Sequence, residues 1–474
     1  MEDQMFDNDS SHRSLSGPWK ACPDLSGEKE GVALYSSRCW VEGKLQPATI
    51  SICEGKITGI VFSKLAGAED MGDAVLMPGV IDAHVHINEP GRTEWEGFVT
   101  ATQAAAAGGI TTVVDMPLNA SPVTTNAIAL QQKLGASTNK LHVNVGFYGG
   151  LVPGNLNDLP ALMEAGVLGI KCFLTHSGID EFPNVTREQL EAAMPVIAKH
   201  NLPLLAHCEI YEEEVATNLQ ANPASYQEYL KSRPKKWEND AVDLMVELCE
   251  KYNCPIHIVH VSSAEALRSI ANAKAAGLPL TAETCAHYIY FDAEDIPNGN
   301  TLFKCAPPIR EKENNDGLKT ALANGLLDFI TTDHSPAPPS IKEINSGNLQ
   351  KAWGGIAGLQ FLLSSAYTAM KQNMSLEKFI PLLTEQPAAF LKLDKRKGCL
   401  KIGYDADLVI WQPDETFVVA EEAILHRHKA SPYIGEKLFG RVQQTIVNGV
   451  TVFENGKVQC EQNYGKVVFA SKGN

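Results

Sequence analysis

The stretch VLMPGVIDAHVHI, residues 75–87, decides how this chain folds. It is apolar for most of its length and ends in His84 and His86, one residue apart. An unbroken Val/Ile/Leu run is expected of a strand covered on both faces, as in a parallel sheet between helices. Side chains alternate between the faces of a strand, so two histidines at this spacing point the same way. Two imidazoles on one face can share a divalent cation.

Seven further runs have the same texture and alternate with helix-like stretches. They are TTVVDMPL (111–118), LHVNVGFYGG (141–150), GVLGIKCFLT (166–175), LPLLAHCE (202–209), PIHIVHVS (255–262), LPLTAETCAHY (278–288) and LLDFITTDHSP (326–336). Eight strands close a parallel barrel. The runs turn polar at their C-terminal ends, with His86, Asp115, Lys171, His207, His260 and Asp333 there. Active sites of such barrels lie at that end. A doubly wound open sheet is the competing architecture, but no run leads into a phosphate-binding GxGxxG turn.

The flanks read differently. Residues 31–73 form short alternating segments broken by glycines, as in ATISICEGKITGIVF (48–62). The same texture returns in GYDADLVIW (403–411) and RVQQTIVNGVTVFENGK (441–457), where Asn448-Gly449 and Asn455-Gly456 are hairpin signals. The expected fold class is therefore α/β: a (β/α)8 TIM-like barrel, with a smaller β-sandwich domain built from both chain ends. The domain reading is a flexible extension at 1–30, β-domain at 31–74 and 395–469, catalytic barrel at 75–394, and a tail at 470–474.

Composition narrows the function classes. With 44% hydrophobic and 20% charged residues among 474, the chain reads as soluble and globular, and no apolar stretch approaches a membrane span. A net charge of −16 argues against a nucleic-acid partner. Eleven cysteines without a CxxC pair or regular spacing fit reduced thiols in an intracellular compartment. The polar N-terminus lacks a secretory apolar segment, and the C-terminal Ser-Lys-Gly-Asn is not an SKL-type address. A cytoplasmic setting is expected, with mitochondrial or peroxisomal association left open.

The strand-end residues carry the chemistry. His207 and His260 close successive runs, where each alone reads as a hydrogen-bonded core histidine and the two together as metal ligands. His257 is read as structural, on the other face and deeper. Asp333 follows an apolar run, and a buried aspartate needs a partner such as a cation; the bland reading is a cap on the next helix. Lys171 sits inside an apolar run, where its ammonium is costly unless paired or extended to the barrel mouth. Beside two divalent cations an ammonium is strongly repelled. A deprotonated amine, favoured by burial, can add carbon dioxide and become a carbamate that bridges both metals.

Together, PGVIDAHVH, the lysine of GIKCF, the histidines of LLAHCE and IVHVS, the aspartate of TTDHSP and the late DADLVI resemble the amidohydrolase superfamily. Within it they resemble the cyclic amidases: dihydroorotases, dihydropyrimidinases (hydantoinases) and allantoinases. The similarity runs from about Gly31 to Lys457. It implies hydrolysis of a cyclic amide by two divalent metals, zinc above all, with manganese or cobalt as alternatives, and carbon dioxide for carbamylation. His84 and His86 would hold one metal and His207 and His260 the other. Lys171, as N6-carboxylysine, would bridge them, and Asp333 would be a ligand and the catalytic proton carrier. The resemblance also implies a homotetramer and a small-molecule substrate.

Departures from the family pattern bear on the substrate. Dihydroorotases carry HxHxR, whose arginine can grip a carboxylate through two parallel hydrogen bonds. Here that position is Asn88, with Arg92 four residues on. Dihydropyrimidinases carry a tyrosine five residues past the bridging lysine, and here that position is His176. HINEPGRTEWEGF, DMPLN, KCFLTHSGID, ETCAHY and KAWGGIAGLQ are most similar to the allantoinase group, which implies a hydantoin ring bearing a neutral ureido group. Asn88, Asn119 and His176 are then candidate substrate contacts, with backbone at Cys285 and Gly355 for the ring imide. The alternatives are a hydantoinase- or dihydroorotase-type amidase and, in another class, a non-catalytic dihydropyrimidinase-related assembly protein.

Overall fold

The computed structural model describes residues 20–21, 30–211, 217–459 and 464–470. Most of the expected N-terminal extension and the last four residues lie outside them. Eight parallel strands, numbered in chain order, form the barrel: β1 (Val80–Val85), β2 (Ile110–Asp115), β3 (Asn144–Phe147, continued by Gly149–Gly150), β4 (Ile170–Phe173), β5 (Leu204–His207), β6 (Ile256–Ile258), β7 (Leu280–Cys285) and β8 (Phe329–Thr331). The expected fold class is the observed one.

The seam between β8 and β1 is sealed by side chains as well as backbone. Val85 bridges His334 in parallel, and the His86 N–H donates to the His334 carbonyl at 2.8 Å. Beneath this bridge, buried Asp82 accepts from the Thr332 N–H at 3.3 Å, the Thr332 hydroxyl at 2.5 Å and the His84 N–H at 3.2 Å. One carboxylate thus ties the C-terminal ends of the first and last strands together. Gly79 precedes β1 because a Cβ there would lie 2.1 Å from the Thr111 side chain.

Inside the barrel, Ile81, Ala83, Val114, Leu205, Val259 and Phe329 join Ala388, Leu391 and Leu393 in one buried cluster. Glu30–Val41, Lys44–Cys53 and Lys56–Val61 from one chain end, and Leu408–Val418, Lys437–Val447 and Val450–Glu454 from the other, meet through Val75–Pro78 in a ten-stranded sheet. Alternation divides its faces. Leu76, Leu408 and Ile410 pack with Leu34, Ile50 and Ile446, while Val75, Met77, Val409 and Trp411 pack against barrel helix residues such as Leu363. Both Asn-Gly turns are left-handed at both positions, with φ of 50° and 82° at 448–449 and 47° and 86° at 455–456.

Eight described cysteines are free thiols, whereas Cys53 is disulfide-bonded, a departure from uniformly reduced thiols. Among the described residues no helix is long and apolar enough to cross a membrane.

Candidate metal centre

Five strand ends deliver the six predicted residues to one cavity of about 300 Å³, whose lining includes His84, His86, Lys171, His207, His260 and Asp333. His84 Nε2 and His86 Nε2 each lie 3.2 Å from Asp333 Oδ1. The ligand atoms of these three residues lie within 4.8 Å of one another, the one such group among the described residues. On the neighbouring strands, His207 Nδ1 and His260 Nε2 face each other at 3.0 Å. Lys171 is in register with inward-facing Leu205, so its side chain enters the barrel and lines the same cavity.

His260 and Asp333 sit just past their strands with left-handed backbones, φ 41° and 45°. That region is uncommon for residues with side chains and recurs where function over-determines the conformation. The break at His260 also relocates His257. Expected on the other face, it lies inside the barrel, its ring stacked on Phe329 at 5.1 Å and its Nε2 3.2 Å from Glu283. Strict alternation ends at Ile258, so the three-residue spacing does not separate the faces.

Two buried carboxylates escaped the sequence reading and fix the imidazole tautomers. A carboxylate only accepts, so His84 Nδ1–H donates to Glu283 Oε1 at 2.6 Å, with Nε2 3.2 Å from Asp333; burial alone would lower this imidazole, but the Asp333 and Glu283 carboxylates raise it to about 9. Likewise His207 Nε2–H donates to Glu209 Oε2 at 2.8 Å and leaves Nδ1 toward His260. Arg233 grips Glu209 through Nε at 3.0 Å and Nη2 at 2.5 Å. The available signal was a glutamate beside each motif, in AETC and in HCE.

Electrostatics follow from this arrangement. Burial alone would raise the Asp333 carboxyl, but His84 and His86 hold it well below the carboxylate range. Burial works the same way on Glu283, which His84 and His257 hold at about 2. Burial, then His207, push His260 well below the usual imidazole range. Lys171 is 1% exposed, burial lowers its amine to about 8, and its Nζ has no hydrogen-bond partner among the described residues. The amine lies 4.8 Å over the Phe173 ring, in the cavity that four histidines and an aspartate also line.

The substrate-contact candidates divide. Asn119, His176 and Gly355 line the cavity; Asn88 and Cys285 do not. Asn88 is 1% exposed and its amide donates to the Pro336 carbonyl at 3.4 Å, so it braces the β8 loop rather than facing the cavity. Cys285 is held in register with Thr331 by the β7–β8 ladder. Gly355 spends its N–H on the Lys304 carbonyl at 2.8 Å, leaving only its carbonyl for other contacts. Arg92 is ion-paired with Glu181 at 2.7 Å and is not part of the lining.

Residues 75–452 match the Amidohydrolase family. The chain belongs to that family. It is 42% identical over 432 residues to an allantoinase of Streptomyces avermitilis, covering 90% of this chain and 96% of that one. It is 44% identical over 463 residues to an allantoinase of Arabidopsis thaliana, covering 91% of each. Among solved structures, an L-hydantoinase (dihydropyrimidinase) from Arthrobacter aurescens superposes with a TM-score of 0.86 at 30% identity, covering 92% of this chain and 99% of that one. Membership in the amidohydrolase family implies a divalent metal centre. The donors fit one: paired imidazole nitrogens aimed at one another, a carboxylate oxygen between two more, and an unpartnered lysine amine.

Proposed function

We propose that the protein is a metal-dependent cyclic amide hydrolase that opens the hydantoin ring of allantoin to allantoate. The observation that carries this reading is 42–44% identity to allantoinases over about nine-tenths of the chain, joined to a full donor set at the barrel mouth. That donor set also argues against a non-catalytic assembly protein. Against a dihydroorotase stands the absence of a free arginine among the described residues of the cavity: Arg233 is committed to Glu209, and Arg92 to Glu181 outside it.

In this reading His84 and His86 would hold one ion and His207 and His260 the second, Lys171 as a carbamate would serve both, and Asp333 would be a further ligand. Two zinc ions suit the imidazole and carboxylate donors, and manganese or cobalt are the nearest substitutes. When bound, the ions supply Lewis-acid polarisation of the scissile carbonyl and acidify the attacking water. Asp333 takes the proton of that water as its oxygen bonds to the ring carbonyl carbon. It returns the proton to the ring nitrogen as the carbon–nitrogen bond breaks. Glu283 and Glu209 hold His84 and His207 in their metal-facing tautomers.

Asn119 borders His86 from the next loop, its amide Nδ2 3.4 Å from His86 Nδ1. The cavity, at the small end of ligand sites, suits a compact heterocycle. A homotetramer in the cytoplasm completes the reading, by the family resemblance.

The test is turnover by purified protein with added divalent metal and bicarbonate, comparing allantoin, dihydroorotate and dihydrouracil. Preference for allantoin with about two metals per chain is expected. Preference for dihydroorotate overturns the substrate, and absence of bound metal overturns the mechanism.

A further inference from the structure

Residues 351–355 form one wall of the cavity without any regular secondary structure, and Trp353 is the bulkiest side chain in that wall. Two lysines with no carboxylate partner among the described residues hold this loop by its carbonyls. Lys304 Nζ donates to Ala352 at 2.5 Å and Gln350 at 3.3 Å. Lys342 Nζ, in a residue only 4% exposed, donates to Gly355 at 2.6 Å and Trp353 at 3.1 Å. Burying an amine without a counter-ion is costly, and burial lowers the two to about 8 and about 7. A neutral amine still offers two N–H donors, matching the two carbonyls that each lysine meets.

The clamp fixes one side chain in particular. The Trp353 N–H donates to the Ile341 carbonyl at 2.7 Å, and its ring meets Trp95 edge-on at 4.9 Å. Its far edge presses on Gly178, where an added Cβ would sit 3.3 Å from Cη2. Gly178 and its neighbour His176 border the same cavity. Behind Trp95, Arg92 lies 5.6 Å from the ring and is tied to Glu181 at 2.7 Å. Three loops therefore lock around one indole at the rim of a cavity of only about 300 Å³.

We propose that Trp353, held in place by Lys304 and Lys342, sets the size limit for the substituent on the substrate ring. A compact polar group such as ureido passes, and an aromatic substituent meets the indole. Trp353 is thus specificity-determining, and the two lysines are positioning residues. This rests on the cyclic-amide reading above.

The experiment compares unsubstituted hydantoin, allantoin and 5-benzylhydantoin in wild type, Trp353→Ala, Trp353→Phe and Lys342→Met, each with its bound metal quantified. Wild type is expected to discriminate against 5-benzylhydantoin, and Trp353→Ala to raise its kcat/KM relative to hydantoin at least about tenfold. Trp353→Phe, which keeps an aromatic packing partner, should raise it less. Lys342→Met should raise KM about tenfold with kcat within about threefold, and relax the same ratio. An unchanged ratio in metal-loaded Trp353→Ala or Trp353→Phe overturns the proposal, as does a wild type that accepts 5-benzylhydantoin as readily as hydantoin. Failure on allantoin alone would sink the substrate named above and leave the ratio to hydantoin as the measure of the wall.

Discussion

Replacing Glu283 by glutamine tests whether the metal centre depends on a residue that touches no metal in the proposed arrangement. Glu283 is 1% exposed, accepts from His84 Nδ1 at 2.6 Å with one oxygen and lies 3.2 Å from His257 with the other. Glutamine offers a single oxygen to these two imidazoles. If its NH₂ end faces His84, Nδ1 must become the acceptor and the proton moves to Nε2, the nitrogen turned to Asp333. A hydrogen bond to a charged group contributes about 1.5–3 kcal/mol. Loss of a partner behind a metal-bound histidine weakens metal affinity about 10- to 100-fold, equivalent to about 1.4–2.8 kcal/mol. The two routes agree, so competition of apo-protein against a zinc chelator should show one to two orders of magnitude of weakening in Glu283→Gln. An affinity within twofold of wild type, in a variant with unchanged circular dichroism, refutes the tautomer argument.

Three further outcomes follow from the same geometry. Asp333→Asn should lower kcat at least about 100-fold, because the amide cannot carry the proton, and near-normal turnover would remove Asp333 from that role. Lys171→Ala should lower bound metal below two per chain by elemental analysis, and an unchanged ratio would refute the bridge. Lys342 is lowered by burial from an ordinary 10.5 to about 7. Between these values the unfolded chain binds the proton and the folded chain does not, so this residue's contribution makes stability rise with pH. The stability difference between wild type and Lys342→Met, from denaturant titrations at several pH values, should therefore shift toward wild type between about pH 7 and 10.5. A flat difference would mean that the amine stays charged in the fold.

What was legible in the sequence was what strand periodicity and burial express locally. A run that turns polar only at its last residues marks a strand end, and eight such ends converge because a barrel's floor is filled with apolar side chains such as Leu205 and Phe329. His84, His86, Lys171, His207, His260 and Asp333 were therefore legible as strand-end residues, but position alone did not separate them from Asp115, which pairs with Lys133 at 2.5 Å outside the cavity. Contacts made across the barrel were not recoverable. Glu283 reaches His84 over 199 positions of sequence, and Lys342 holds carbonyls that belong to an irregular loop. Asn88 was misplaced for the opposite reason. Two residues past His86 on a continued strand it would share the histidines' face, but the strand ends at Val85, and Asn88, with a φ of 67°, donates to the Pro336 carbonyl. The position that separates this chain from the dihydroorotases thus acts on the substrate by omission: the arginine is absent, and the asparagine in its place packs the wall of the site without entering it.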